Sequence, residues 1–377
     1  MKQGLYICFE FDIENRADKT SGIAKKIKNQ FEVFHNNGYE MTFYNPYTKL
    51  RTSSFFKIKR RIPLAGFFID WDTSALDLSK YDFVYIRKPW FMQQDLLRFL
   101  RGFRNLNSSA KIIVEVPTYP YDYEVMSWKD YTLLWKDKLT RKKLHKYVNR
   151  VTTYSDDAEI FGIKTININN GVRLSEEIRR NDRVYNENEL NIVAVSNLGF
   201  WHGYDRAIEG LRVYYSENHK IPVKLHVVGD GMELEKLKNL VKNYHLEEYV
   251  TFYGRQSGEK LDEIYSICQV GIDSLGRHRS KVTYNSSLKS KEYLAKGLIV
   301  VSGVKNELDN DTAFKYYFRV PSDETPIDYK SILEFCRPIL TKVPQNEIRE
   351  ELIDYVKNHF DFEIVMKPII SYLGVRK

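Results

Sequence analysis

Short apolar runs alternate with stretches whose apolar residues recur at helical spacing, and this alternation continues through the whole chain. Leu5 to Phe11 has the length of a strand and leads into a polar loop over residues 12–20. Ile23, Ile27, Phe31 and Phe34 then mark a helix that stops at Asn37-Gly38, with Ser21 as N-cap. The pattern predicts further strands at Met41–Tyr44, Tyr81–Ile86, Lys111–Val116, Val151–Ser155 and Ile166–Val172. Between two of them lies a helix with Leu96, Leu97, Leu100 and Phe103 inward and Arg98, Arg101 and Arg104 outward. After a polar stretch over residues 175–189, the same grammar restarts with strands at Leu190–Val195, Val223–Val228, Val250–Gly254 and Val270–Asp273. Strand–helix alternation in two halves predicts an α/β protein of two doubly wound, Rossmann-like domains, residues 1–180 and 190–360, facing a central cleft. A final apolar helix, about 362–377, is expected to cross back to the first domain.

The length of 377 residues suits two cores rather than one. No run of about eighteen apolar residues occurs, so no transmembrane helix is expected. Glu10 and Asp12 follow the first strand at once, which does not suit a signal peptide. Cys8, Cys268 and Cys336 are too far apart in sequence to form a ligand cluster, which suits a reducing cytosol. The net charge of +8 is uneven: residues 1–185 hold 32 Lys+Arg against 22 Asp+Glu, and the remainder 26 against 28. A basic first half suggests an anionic partner, such as nucleic acid, acidic lipid or a phosphorylated acceptor; plain solubility explains it equally well. Two segments sharpen this. Phe55 to Phe68 sets basic residues between aromatic pairs, and the helix around Trp135 to Tyr147 carries Lys136, Lys138, Arg141, Lys142, Lys143 and Lys146. Either could rest on a membrane surface or be an ordinary solvated face.

The chemistry concentrates in Asn285 to Val301. Gly297 divides a helix pattern from a short apolar strand, and Lys289 and Glu292 share one face near the start of the helix. A helix N-terminus binds anions through its open N–H groups, and a carboxylate one turn inside can accept from two ribose hydroxyls. A solvated Lys–Glu pair would look the same. The segment resembles the donor-site signature of retaining GT-B glycosyltransferases of the GT4 type, which act in bacterial capsular, exopolysaccharide or O-antigen synthesis. Ser286, Leu288, Lys289, Glu292, Tyr293, Leu294, Ala295 and Gly297 match S-P-L-K-x-x-E-Y-L-A-x-G-[LI]-P-[VI]; Ser287 and Ile299 stand where proline is frequent, and Tyr284 replaces a frequent second glutamate. Ser196 to Arg206 resembles the W-H-G-x-D-R form of the family's phosphate loop, with His202 in the usual lysine place and Ser196 or Asn197 in that of an arginine. Gly229-Asp230-Gly231 is another common family turn, and Glu115 to Glu124 resembles the E-x-P-T-Y-P-Y-D-x-E loop of polysaccharide-building members.

The resemblance implies a metal-independent hexosyltransferase that uses a nucleotide-diphosphate sugar, UDP-linked first, and needs no cofactor. It implies donor contacts at Gly22, Asn197, His202, Arg206, Arg279, Ser287, Leu288, Lys289 and Glu292, and acceptor contacts at Arg87, Glu115, Tyr119 and Tyr123. No catalytic nucleophile is assigned. The acceptor would be a glycan or a polyprenyl-diphosphate-linked sugar at the inner membrane face, with the protein cytoplasmic, peripheral and held by anionic lipid. Asp70-Trp71-Asp72 and Asp309-Asn310-Asp311 match the metal-binding D-x-D of another glycosyltransferase class, but in the wrong context. Two alternatives stay open: a GT-B nucleotide-sugar epimerase, and a non-catalytic nucleotide- or RNA-binding module. No nucleic-acid partner is expected, because no RNP, KH or helix-turn-helix signature occurs.

Overall fold

The computed structural model describes residues 1–10, 22–47, 58, 62, 71–125, 127–174, 188–217 and 219–374. Ser21, most of the Phe55–Phe68 segment, Asp70 and residues 175–187 of the expected linker lie outside them. The chain forms two compact units: residues 1–168 with 365–377, and residues 169–364.

The first unit contains β1 (Lys2–Ile7), α1 (Gly22–Asn36), β2 (Tyr39–Tyr44), β3 (Phe83–Arg87), α2 (Gln94–Leu106), β4 (Lys111–Val116), α3 (Tyr131–Arg141), β5 (Arg150–Thr153), β6 (Glu159–Ile160) and β7 (Ile163–Asn167). Its sheet has the order β2-β1-β3-β4-β5-β7-β6, parallel except where β6 turns back on β7. The central strands read as near-continuous apolar runs because both faces are covered: every residue of β3 is buried, as is β4 after Lys111. Leu96, Leu97, Leu100 and Phe103 of α2 join this core, as their spacing predicts.

One strand boundary differs from the sequence reading. The last parallel strand is Ile163–Asn167 rather than Ile166–Val172. Phe161 and Gly162, with φ of 56° and 75°, make a tight hairpin that starts the strand early. Asn169–Val172 has left this sheet, and Val172 instead bridges to Asp361.

The second unit contains β8 (Leu190–Val195), α4 (Tyr204–Ser216), β9 (Val223–Val228), α5 (Leu234–Asn243), β10 (Val250–Phe252), α6 (Glu259–Ile267), β11 (Val270–Ile272), α7 (Leu288–Ala295), β12 (Ile299–Ser302), β13 (Tyr317–Arg319), α8 (Tyr329–Lys342), α9 (Gln345–His359) and α10 (Phe362–Val365). Its sheet is fully parallel, in the order β10-β9-β8-β11-β12-β13. Strand β13 has no signal in the sequence: its three residues are only half-buried.

Helix α11 (Lys367–Leu373) belongs to the first unit. Lys2 and Lys111 donate to its last carbonyls, at Gly374 (2.6 Å) and Tyr372 (2.6 Å), where a helix C-terminus attracts cations. Among the described residues, no helix is long and apolar enough to cross a membrane.

Candidate functional site

In the second unit, strand β11 delivers Asp273 and Ser274 to the C-terminal edge of the sheet, where doubly wound folds bind ligands. Helix α7 begins just beyond. Ser287 is its N-cap: the hydroxyl accepts from the Ser290 N–H at 3.2 Å and donates to Asp273 Oδ2 at 2.6 Å. The N-cap is thereby tied to the strand end. Helix and strand are also pressed together at Gly271, where a Cβ would come within 2.3 Å of the Tyr293 ring.

Lys289 stands in the first turn of α7. Its Nζ donates to Ser274 Oγ at 3.1 Å and lies 3.3 Å from Asp273 Oδ1, whose side chain is wholly buried. Burial lowers the pKa of Lys289; Asp273 opposes the shift and Arg277 adds to it. Glu292, half-buried on the same helix, also places its charge within reach of Lys289.

His202 ends the short turn after β8 and is buried against Tyr204, with ring centroids 5.6 Å apart. Its Nδ1 accepts from the Gly199 N–H at 3.1 Å, so the neutral ring carries its proton on Nε2. Burial holds its pKa well below the ordinary value, and the charges of Lys289 and Arg277 push it the same way. His202 is therefore a neutral donor at physiological pH. Its loop can lie this close because of Gly203: at φ 65°, a Cβ there would sit 2.5 Å from the Gly276 nitrogen.

The remaining arginines divide by role. Arg206 is 2 % exposed. It donates to the carbonyls of Leu275, Thr325 (2.8 Å) and Pro321 (3.0 Å), binding the loop ends together from inside. Arg279 pairs with Asp205 (2.9 Å) and Glu324 (2.5 Å). Arg277 carries the charge felt by both His202 and Lys289. The sequence does not separate Arg277 from Arg279, because both lie in the same basic loop, Ser274 to Arg279. Asn197 is exposed at the end of β8, and Leu288 is half-buried at the first position of α7.

Lys291 shares helix α7 but faces the interior. It is wholly buried and ion-paired with Glu307, and it donates to the Ser286 and Ser290 hydroxyls at 3.0 and 3.2 Å. The Ser286 hydroxyl in turn accepts from the Asn170 N–H at 3.0 Å. Burial lowers the Lys291 pKa to about 7. Of the second D-x-D, Asp309 accepts from Tyr317 at 2.8 Å and lies against Arg319, and Asp311 accepts from Tyr355 at 2.9 Å. Both carboxylates serve packing.

The first unit has its own polar centre. Glu115, on β4 and wholly buried, meets Arg87, Lys26 Nζ (3.3 Å), Gln30 Nε2 (3.1 Å) and the Tyr85 hydroxyl (2.7 Å). Burial alone would raise its pKa, but Lys26 and Arg87 hold it down at about 2. Lys26 is lowered to about 8 by burial. Beside this cluster is a cavity of about 180 Å³ lined by Glu10, Arg87, Lys88, Trp90, Phe91, Thr118, Tyr121 and Glu124 among others. Arg87 reaches both the cluster and the cavity. Tyr119 packs on Phe161 with centroids 5.7 Å apart, and Tyr123 is 47 % exposed; neither lines the cavity. Lys88 was not legible as a site residue, since a Lys before Pro at a strand end looks like a solvated edge. Gly22 is the exposed first residue of α1.

Residues 175–273 match the family model "Glycosyl transferases group 1". No curated protein matches the chain. In structure, the chain is similar to sucrose-phosphate synthase from Thermosynechococcus elongatus, at 15% identity and TM-score 0.67, covering 99% of this chain and 98% of that one. It is similar to a glycosyltransferase from Rickettsia africae ESF-5, at 13% identity and TM-score 0.62, covering 99% and 97%. It is also similar to Anabaena HepE, whose crystals contain UDP and glucose, at 12% identity and TM-score 0.61, covering 100% of each chain. The fold is GT-B. The family match and the fold together support a glycosyltransferase.

Proposed function

We propose that this protein moves a hexose-type sugar from a UDP-linked donor to a sugar hydroxyl with retention of configuration, as GT4-type enzymes of surface-polysaccharide synthesis do. One observation carries the reading: Lys289 stands in the first turn of α7 beside Asp273 and Ser274, near enough to Arg277 and to neutral His202 for these charges to act on one another. Such a set stabilises negative charge developing on a leaving diphosphate, and it does so in a partly desolvated site where each donor counts for more than in water. A bound metal is not needed for that charge balance.

In this reading Lys289, Arg277 and His202 contact the diphosphate, and Glu292 accepts from the ribose hydroxyls. Ser287 and Leu288 contribute the helix N-terminus, and Asn197 is exposed just beyond the end of β8. Arg206 and Arg279 act indirectly, since their donors are occupied by carbonyls and carboxylates of their own unit. Asp273 is the counter-ion of Lys289 rather than a nucleophile, being buried and already accepting from Ser287.

The acceptor occupies the first unit's cavity. Its volume, about 180 Å³, is below the ~300–1,000 Å³ of drug-sized sites and suits a single sugar ring. Arg87 and Thr118 supply donors, Glu10 and Glu124 acceptors, and Trp90 an apolar face, while Lys88 is held by the Pro89 and Trp90 carbonyls. Glu115 orients Arg87 from behind, and Tyr119 and Tyr123 flank the loop. The acceptor sugar is carried on a polyprenyl diphosphate, which keeps the enzyme peripheral at the inner membrane face.

Calorimetric titration with UDP, GDP, dTDP and CDP tests the donor. Selective binding of UDP is expected, and turnover of UDP-sugar is expected to persist in chelator. Binding of none of the four would remove the reading.

A further inference from the structure

The helix behind the cavity has an unusual outer face. Leu133 and Leu134 of α3 turn inward onto Phe91, a cavity residue. Asp137, wholly buried, accepts from the Met92 N–H and from the Tyr121 hydroxyl, each at 2.7 Å. The helix is thus fixed rigidly to the cavity wall. On its opposite side Tyr131, Trp135 and Leu139 follow one another at i, i+4 and i+8, and they are 63 %, 47 % and 39 % exposed. Trp128, on the turn just before, is 77 % exposed. Side chains of this size normally bury most of their surface, and four together form a patch that calls for a partner.

The charge around the patch says which partner. Lys138, Lys142, Lys143 and Lys146 are all exposed along it. Between residues 131 and 150 the sole acid is Asp137, which is buried. Arg141 and Lys138 both pair with Asp122, leaving Lys142, Lys143 and Lys146 to supply the outer charge. Protein interfaces deplete lysine and prefer arginine, whereas Trp and Tyr flanked by lysines is the composition of a surface resting at the headgroup level of a bilayer. Anionic headgroups complement the charge of these three exposed lysines.

We propose that α3, with the turn at Trp128, is a membrane-docking face that lies in the interface of an anionic bilayer. The aromatic stripe enters the headgroup boundary, and Lys142, Lys143 and Lys146 meet lipid phosphates. Because Phe91 and Tyr121 join this face to the cavity, docking presents the cavity to a lipid-carried sugar; that consequence rests on the acceptor reading above, while the docking itself does not.

The test is flotation of the full-length protein with vesicles of phosphatidylcholine alone and of phosphatidylcholine with phosphatidylglycerol. Binding only to the anionic vesicles, reversed by high salt, is expected. Lys142→Ser/Lys143→Ser should lower partitioning about thirtyfold, and Trp135→Ser/Leu139→Ser at least about tenfold. UDP titration of each variant should match the parent, which shows that the fold is intact. Failure of the parent to float overturns the proposal. So does unchanged flotation of the apolar double variant, or capture of an RNA oligonucleotide through the same residues in preference to vesicles. Flotation without UDP binding would leave the docking face standing and remove the sugar-transfer reading instead.

Discussion

Lys289 Nζ lies 3.3 Å from Asp273 Oδ1, so the cation offered at the helix N-terminus is held by a carboxylate that is itself buried beneath it. The pair is poised rather than closed, because Arg277 presses on the same ammonium and burial lowers its pKa. Replacing Lys289 with alanine removes a charge-assisted contact, and UDP affinity should fall by about 1.5–3 kcal/mol, read by calorimetry. Uridine, which lacks phosphates, should lose little.

The same shift sets a pH dependence. A lysine whose pKa is lowered gives up its proton earlier than its ordinary value of 10.5. UDP affinity should therefore decline as pH rises through the alkaline range below that value. The Lys289→Ala variant should lack this decline. Titrations at stepped pH check both.

Glu115 is the electrostatic anchor of the first unit. Its pKa is depressed to about 2, so its stabilising contribution is complete above the ordinary carboxylate value of 4.5 and is lost as pH falls between the two. Glu115→Gln leaves Arg87 and Lys26 buried with only the more distant Glu10, 3.8 Å from Arg87 Nε, as counter-charge. Such broken buried pairs cost about 3–5 kcal/mol, which urea unfolding followed by circular dichroism would measure. Loss of less than about 1 kcal/mol would contradict the role.

Lys291 and Glu307 make the parallel case in the second unit. Below pH 7, where Lys291 is charged, Glu307→Gln should cost about 3–5 kcal/mol, and adding Lys291→Met should restore most of the loss, since apolar replacement of a whole buried pair is near neutral. With its folded pKa near 7 and its ordinary value 10.5, Lys291 binds fewer protons folded than unfolded over that interval. Its contribution to stability therefore rises with pH there, a slope the Lys291→Met variant should lack.

The contrast between the two lysines of one helix shows what a sequence can and cannot carry. Strand β4 and helix α2 fall where the apolar pattern puts them, because runs and helical spacing are local properties. Gly297, at φ 74°, is legible as the helix stop for the same reason, whereas Ser287 reads only as a replaced proline until its N-cap bond is seen. Burial of a charge is not local. Lys289 and Lys291 are two residues apart in one motif, yet one points to the strand edge beside Ser274 and the other into the core against Glu307. Arg206 reads as a phosphate ligand until three carbonyls from distant loops are seen around it. His202 reads as a conditional cation until its burial is known. The docking stripe on α3 was legible as a basic helix, but the exposure of Trp135 and Leu139 beside the inward Leu133 and Leu134 needed the packing.

The central claim is that α7 holds a nucleotide, with Glu292 on its ribose, and titration of UDP into the parent protein and into Glu292→Ala tests it most directly. The account predicts selective UDP binding by the parent and a loss of about 1.5–3 kcal/mol in the folded variant. Equal affinity of both proteins for UDP would contradict it.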